Sequence, residues 1–411
     1  MLCGACTKTV TETVYEYLPA EDSTVYSIQS FGVLPANSAA LNKTNLQKAI
    51  DWASDRGAAL YVEPVQGGYP VDGGLVLRKN VSLTGVHGPT GRGTSDSEGN
   101  ATGSLFRITD KKEPFITVES ATQIRGIQFY YPEQGMKASA IKEYPPTIKV
   151  SQTSAVNGVT LSCLTFYGAT FAMDFRASSG KPCEQILFEH CYGYPLGGQF
   201  IAIDYCYDIP RILHCHVNPA VMREFRGDYP KEVNDAVIAR RTYAYSIDHT
   251  DNAQVMDIFT FATYGGIMLG AATYGQMTNF NFDCVCNGIF KDGDSDFNRV
   301  WEVAQGSIIA NCSPSGNLSE IHPLLMQGKG HLSLTNVDAF SGDNGVVTNL
   351  AQSYDFMTVR GSNVVCVTGV NCRMRNYSAD EPVTVSDYSA RISFLNCTDK
   401  NNNIFNWTYG I

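Results

Sequence analysis

The sequence predicts an all-β chain, a single-stranded parallel β-solenoid closed at its N-terminal end by a short helix. Three observations carry that reading. A polar residue followed by cysteine recurs seven times: Ser162-Cys163, His190-Cys191, His214-Cys215, Asp283-Cys284, Asn311-Cys312, Asn371-Cys372 and Asn396-Cys397. Most copies sit in a short alternating run, VTLSCLTF, ILFEHCYG, RILHCHVN, TNFNFDCV, SIIANCSP or ISFLNCTD, and HLSLTNVDAF has Asn-Val in their place. Spacings include 28 residues (163 to 191), 24 (191 to 215) and 25 (372 to 397). Self-similarity at a period of roughly 20–50 residues marks stacked units, and alternation marks each unit as a strand. Composition agrees: 37 glycines, abundant Asn and Ser for turns, and charged residues at only 17%.

Stacking puts equivalent residues above one another, so the cysteines are expected to form one internal ladder. Free cysteine is among the most buried residue types. Zinc sites need paired cysteines about two to four residues apart, closed by more Cys or His. Only Cys284-x-Cys286 comes near, with a gap of one, so no metal site is assigned. A disulfide framework is not expected either. The count of 13 is odd, and cysteines of adjacent coils would meet only by chance.

The elements follow in order. Residues 1–24 (through TKTVTETVYEYLPAEDSTV) read as an extended arm that packs on something else, such as a partner chain. Residues 25–74 form the N-terminal cap segment. There Asn42 is placed to cap a helix near residues 43–54 whose apolar positions Leu46, Ala49, Ile50 and Ala53 follow helical spacing. Gly57 ends it. Ala58-Ala59-Leu60-Tyr61-Val62 is a buried strand, and Gly67-Gly68-Tyr69 a turn. Residues 75–411 are the solenoid, with roughly ten coils from Leu75 to near Asn403, each needing a neighbour for its backbone groups. A long charged insertion, about residues 219–240, interrupts them, and loops of that length are usually functional or interfacial.

The cap segment carries a resemblance. Ser27-Ile28-x-x-Phe31-Gly32-Val33, an amphipathic helix and then AALYVEPVQGGYPV resemble the opening of the pectate-lyase-like right-handed parallel β-helix superfamily. That resemblance implies a right-handed β-helix with a helix over its open end. The superfamily usually carries acidic Gly-Asp-Gly and Thr-Asp-Asp stretches here. This chain has Pro35-Ala36-Asn37 and Lys43-Thr44-Asn45 instead, which leaves the fold intact but removes those acids. A second set of segments is similar to a subgroup found in bacterial surface-glycan enzymes and phage tail proteins: Gly126-Ile127-x-Phe129-Tyr130-Tyr131-Pro132-Glu133-Gln134, Tyr144-Pro145-Pro146-Thr147-Ile148, Tyr192-Gly193-x-Pro195-Leu196, Asp204-x-Cys206-x-Asp208-x-x-Arg211-Ile212 and His216-x-x-Pro219. The resemblance implies a glycan as substrate class and no particular reaction.

Charge and hydropathy narrow the partners. A net charge of −10 argues against nucleic acid, which needs a basic face, and no apolar run reaches membrane-spanning length. Met1-Leu2-Cys3-Gly4-Ala5-Cys6 resembles the end of a lipoprotein signal without the stretch that should precede it. Free thiols and no secretion signal point to synthesis in a reducing cytosol. The expected setting is therefore a virion tail, made in the host cytoplasm and acting outside it. The alternative is a bacterial cell-surface lipoprotein that hydrolyses or eliminates glycan. The arm and the tail-protein resemblance lead to an expected homotrimer that contacts other virion tail proteins.

β-helix enzymes work in a groove on the outer face. Glycoside hydrolysis needs two carboxylates, roughly 5–5.5 Å apart for retention and 6.5–9.5 Å for inversion. Coils about 4.8 Å apart can supply either. Three clusters qualify: Asp204, Asp208, Arg211, His214 and His216; Asp248-His249-Thr250-Asp251; and Asp292-Gly293-Asp294-Ser295-Asp296-x-Asn298, which lacks the Gly and Glu of an EF-hand loop. Each has a plainer structural reading, as turn-forming Asp with a salt-bridging Arg, an Asx turn or a solvated loop. The catalytic candidates are Asp204, Asp208 and Asp248 as acid and base, with Arg211 and His216 orienting or neutralising substrate. Tyr131, Glu133, Tyr192, Tyr207 and Asp251 are the expected substrate-binding residues, since flat rings suit the apolar faces of sugars. No cofactor is expected, except Ca²⁺ if the reaction is elimination. The remaining function class is a non-catalytic structural or receptor-binding virion protein.

Overall fold

The computed structural model of the chain describes residues 25–86, 103–222, 231–340, 355–360, 365–375, 382–386 and 389–410; the expected arm, 1–24, lies outside them. The chain winds as a right-handed parallel β-helix. Each coil lays one strand into an eleven-stranded parallel sheet that runs from Leu75–Leu77 to Val383–Val385. The rest of each coil feeds a 24-stranded sheet. One coil shows the plan: Phe171–Arg176 in the smaller sheet, then Cys183–Glu189 and Tyr192–Gly193 in the larger, before Gln199–Asp204 opens the next coil.

A left-handed bend between the two strands of the larger sheet sets the register. Its positions are Gly126, Cys163, His190, His214, Asp257, Asn279, Gln305, Asn336, Asn371 and Asn396, all at φ between 50° and 67°. Neighbours in this column lie in register on successive coils, as Ser162 with Glu189, Glu189 with Leu213, and Val370 with Leu395 show one residue earlier. A side chain at positive φ costs about 1–2 kcal/mol, least for Asn and Asp. Short polar residues therefore collect there, and Asn396 Nδ2 donates to Asn371 Oδ1 at 2.6 Å.

The residue after the bend turns inward, which explains the polar-Cys signature. Leu164, Cys191, Cys215, Ile258, Phe280, Val337, Cys372 and Cys397 fill one buried column. The expectation of a single cysteine ladder is corrected in two ways. Cys163 sits in the bend itself, half-buried, one position too early. Cys284 and Cys312 belong to another turn, packed with Ile238. The cysteines of adjacent coils also meet far more often than expected. Cys183 pairs with Cys206 in register, Cys191 stacks on Cys215 and Cys372 on Cys397, and Cys284 Sγ lies 2.9 Å from Cys312 Sγ.

The interior is built from such columns. Phe106, Phe129 and Phe166 occupy one register position on three coils, the last two rings stacked at 5.2 Å. The cap helix α1 spans Ala39–Arg56 and buries Leu46, Ala49, Ile50 and Ala53 as the spacing predicts. Ser38 is its N-cap, accepting from the Leu41 N–H. Asn42 lies inside the helix, and its amide ties α1 to Leu34 and to the Pro70 carbonyl. Gly57 ends the helix at φ 64°. At the far end Ile404–Tyr409 folds back antiparallel on Arg391–Thr398. Within the insertion, helix α2 (Lys231–Ala239) buries Val233, Val237 and Ile238. No helix among the described residues is long and apolar enough to cross a membrane.

Two substitution pairs test the bend column and the buried column that follows it, read as thermal and denaturant stability under reducing conditions. Asn371→Val should lose about 1–2 kcal/mol, while Asn371→Gly stays near wild type. Cys215→Ala should lose about 1–2 kcal/mol through a small cavity, and Cys215→Asp several kcal/mol through a buried unpaired charge.

Candidate functional site

The smaller sheet gathers charge at the C-terminal edge of its outer face. The register that pairs Arg176 with Asp204, Ile203 with Ile247 and Ile247 with Leu269 brings Arg176, Asp204, Asp248 and Gly270 together on four successive coils. The next residues, Tyr205 and His249, bend at φ 48° and 35°. That turns the His249 ring back over the carboxylates. Its Nδ1 lies 2.9 Å from Asp204 Oδ1 and 3.2 Å from Asp248 Oδ1. The Tyr205 ring lies flat on the imidazole, centroids 4.4 Å apart and planes 3° apart. The Asp204, Asp248 and His249 side chains are all half-buried, at 26–33% exposure.

Gly270 makes room for this arrangement. A Cβ there would lie 2.4 Å from the Asp248 carboxyl carbon. The Ala271 N–H instead donates to Asp248 Oδ1 at 2.7 Å. Burial raises the Asp248 pKa, the neighbouring Asp204 charge adds to the rise, and His249 and the backbone N–H groups oppose it. Beneath the edge, Lys291 points into the solenoid with 2% exposure. Its Nζ donates to the carbonyls of Gly270, Asp292 and Gly293 at 2.7, 3.3 and 2.7 Å. Burial pulls its pKa down to about 8 against the pull of Asp248, Asp292 and Asp294. Further along the edge, a cleft of about 180 Å³ is lined by Ala272, Asp294, Ser295, Asp296, Arg299 and Lys329.

The structure thus joins Asp204 from the first expected cluster with Asp248 of the second, and places part of the third on the same edge. Tyr207 and Asp251 lie beside them, through the bridge between Cys206 and Thr250. Burial raises the Tyr207 pKa. Asp251 Oδ1, buried, has no hydrogen-bond partner among the described residues.

The other expected site residues do not join this group. Asp208 is exposed in its own left-handed turn, accepting from Gln185 Nε2. Arg211 belongs to the larger sheet, where its Nη1 donates to the Ile209 carbonyl at 3.1 Å. His216 is also in the larger sheet, stacked on Phe259 at 4.4 Å with Tyr192 edge-on at 5.1 Å. His214 pairs with Asp257 at 2.9 Å. Tyr131 and Tyr192 are buried, and the Tyr131 hydroxyl bonds Thr147 Oγ1 at 2.7 Å. Glu133 is exposed and ion-paired with Lys111 and Lys142. The first cluster was drawn from nearness in sequence, but the chain passes from one sheet to the other between Asp204 and Cys206, so its members face different directions. Sequence reading placed His249 in the second cluster without giving it a role, and gave none to Tyr205, Gly270 or Lys291. The Asp-His pair at 248–249 was the available signal. Nothing in the sequence marks Gly270 or the inward turn of Lys291.

The opposite end of the smaller sheet holds a satisfied histidine. His322 Nδ1 lies 3.0 Å from Thr358 Oγ1, and its Nε2 accepts from Arg360 Nη2 at 2.8 Å. Burial, then the Arg360 charge, pushes its pKa down to about 4.

No family model matches the chain, and no curated protein does. Solved structures do match. The pre-mature bacteriophage phi29 gene product 12 aligns with a TM-score of 0.52 at 13% identity, over 91% of this chain and 52% of that one. DFA-IIIase from Arthrobacter chlorophenolicus A6 gives 0.52 at 12% identity, over 93% and 97% of the two chains. A hyperthermoactive exopolygalacturonase from Thermotoga maritima gives 0.51 at 8% identity, over 93% of each. The chain shares the right-handed parallel β-helix fold of these structures. It spans about half the length of the phage protein it matches.

Two pH-linked outcomes follow. Folded Asp248 holds its proton to higher pH than the unfolded carboxyl does, so its ionisation costs stability as pH rises above about 4. Asp248→Asn should therefore gain stability relative to wild type between pH 4 and 7 in thermal melts. Folded His322 stays neutral where the unfolded chain protonates, so stability is lost as pH falls from about 6.5 towards 4, by up to about 3 kcal/mol. His322→Gln should flatten that part of the profile.

Proposed function

We propose that the chain binds a bacterial surface glycan along the outer face of the smaller sheet and cleaves it at Asp204 and Asp248, as a phage tailspike-type protein. The Asp204–His249–Asp248 group at an open edge carries the reading. One atom from each side chain lies within 4.8 Å of the others. That bound lies just under the roughly 5–5.5 Å of a retaining pair and well under the 6.5–9.5 Å of an inverting one. Asp248, its pKa raised by burial, supplies the general acid. Asp204 supplies the nucleophile or base, and His249 holds both carboxylates in place. Arg176, next to Asp204 in the column, takes the orienting role first expected of Arg211. Tyr205, Tyr207 and Asp251 line the same turns and are the proposed sugar contacts.

Ca²⁺-assisted elimination fits these residues less well. Ca²⁺ takes six to eight oxygen ligands, whereas this group offers two carboxylates and a ring nitrogen. A non-catalytic virion role is supported by the same ring nitrogen, which already occupies both carboxylates, and by the likeness to a phage protein. In either role we propose a homotrimer that uses residues 1–24, docked on other tail proteins. A bacterial surface lipoprotein is the alternative setting.

Incubation with capsular and plant polysaccharides tests the reading, following reducing ends for hydrolysis and unsaturated uronate absorbance for elimination. Asp204→Asn and Asp248→Asn should each lower the rate by about 10²–10⁴, and unchanged rates would sink the proposal. Binding without turnover by any variant supports the virion role. Sedimentation should give three times the 44.9 kDa chain mass; a monomer at micromolar concentration counts against the assembly.

A further inference from the structure

We infer that four stacked cysteine pairs, Cys183–Cys206, Cys191–Cys215, Cys284–Cys312 and Cys372–Cys397, are inter-coil disulfide sites, closed by a thiol–disulfide oxidant such as oxidised glutathione. All eight side chains are buried thiols here. Each pair occupies neighbouring coils, 23 to 28 residues apart in sequence. Residues in register on adjacent strands have Cα atoms about 4.8 Å apart, within the roughly 4.4–6.8 Å that a disulfide spans. For Cys284 and Cys312 the sulfurs already approach to 2.9 Å. The other described cysteines make a built-in control. Cys163 lies across from His190, and Cys366 sits between His331 and Arg391. Cys286 Sγ donates to the Glu320 carbonyl.

Closure is balanced. One cysteine thiolate attacks the glutathione disulfide and releases one glutathione. The second cysteine then displaces the other glutathione, so two thiol protons pass to two glutathione sulfurs. Burial and the adjacent Cys215 hold the Cys191 thiol well above its ordinary pKa, and the thiolate is the attacking species. All eight thiols are shut away from an oxidant once the coils have packed, so the pairs close fastest while coils are still docking. Each link ties one coil to the next, so end-fraying of the solenoid stops at it. Cys206 lies between Tyr205 and Tyr207, so its link fixes the turn beside the acidic cluster. None of this depends on the glycan reading.

The test is refolding from denaturant in a glutathione redox buffer, then acid quench, alkylation and non-reducing peptide mapping. The expected result is these four linked peptide pairs, with Cys163, Cys286 and Cys366 alkylated and a melting temperature that falls on adding dithiothreitol. Full alkylation of all eight cysteines, or scrambled links that include the three controls, overturns the inference. Folded protein incubated with oxidised glutathione near its melting temperature is mapped in the same way, so poor refolding leaves the test intact. Cys397→Ser should leave Cys372 alkylated and the other three links unchanged.

Discussion

Everything in this molecule depends on parallel strands stacked in register, coil on coil. At a spacing of about 4.8 Å, each side chain's nearest neighbour is the equivalent residue of the next coil. Long-range structure becomes a nearest-neighbour problem. A residue must suit the one above and the one below, and the core grows without the limit that a rounded domain meets. The Phe106–Phe129–Phe166 column, the bend column and the cysteine pairs are three results of that rule.

The same rule concentrates charge. On a solvated surface, Asp204 and Asp248 would move apart. In register they are held together, and the strain is relieved locally by the His249 ring and by backbone N–H groups that point at Asp248. The missing side chain at Gly270 and the buried Lys291 belong to the same solution. The ammonium is satisfied by three neutral carbonyls, while its charge partly balances the carboxylates above it. An unpaired buried lysine would be costly, so its survival in the interior is tied to the turns it stitches together.

Most of the fold was legible in the chain. Alternation, the period of the polar-Cys pairs and the spacing of Leu46, Ala49, Ile50 and Ala53 reflect local rules of strand, bend and helix, and these act over a few residues. The Asn-Val copy at 336–337 belongs to the bend column because both its residues obey the same two demands, tolerance of positive φ and an inward apolar side chain. Legibility failed where one residue's shift mattered. Cys163 and Cys191 share a motif, yet one bends and the other points inward, since register and not composition assigns the role.

The sequence by itself determined the repeating architecture, the cap and the acidic character of two turns, because each is encoded by short-range periodicity. Only the tertiary structure decided which carboxylates meet. Asp204 lies four residues from Asp208 but stacks on Asp248, 44 residues away, because the chain changes sheet after Asp204 and coil length sets the vertical neighbour. Coil lengths vary with insertions such as 219–240, so no fixed period identifies that partner. The cysteine pairs were hidden for the same reason. Adjacency in a solenoid is a property of register, and register is fixed only when the whole stack has formed.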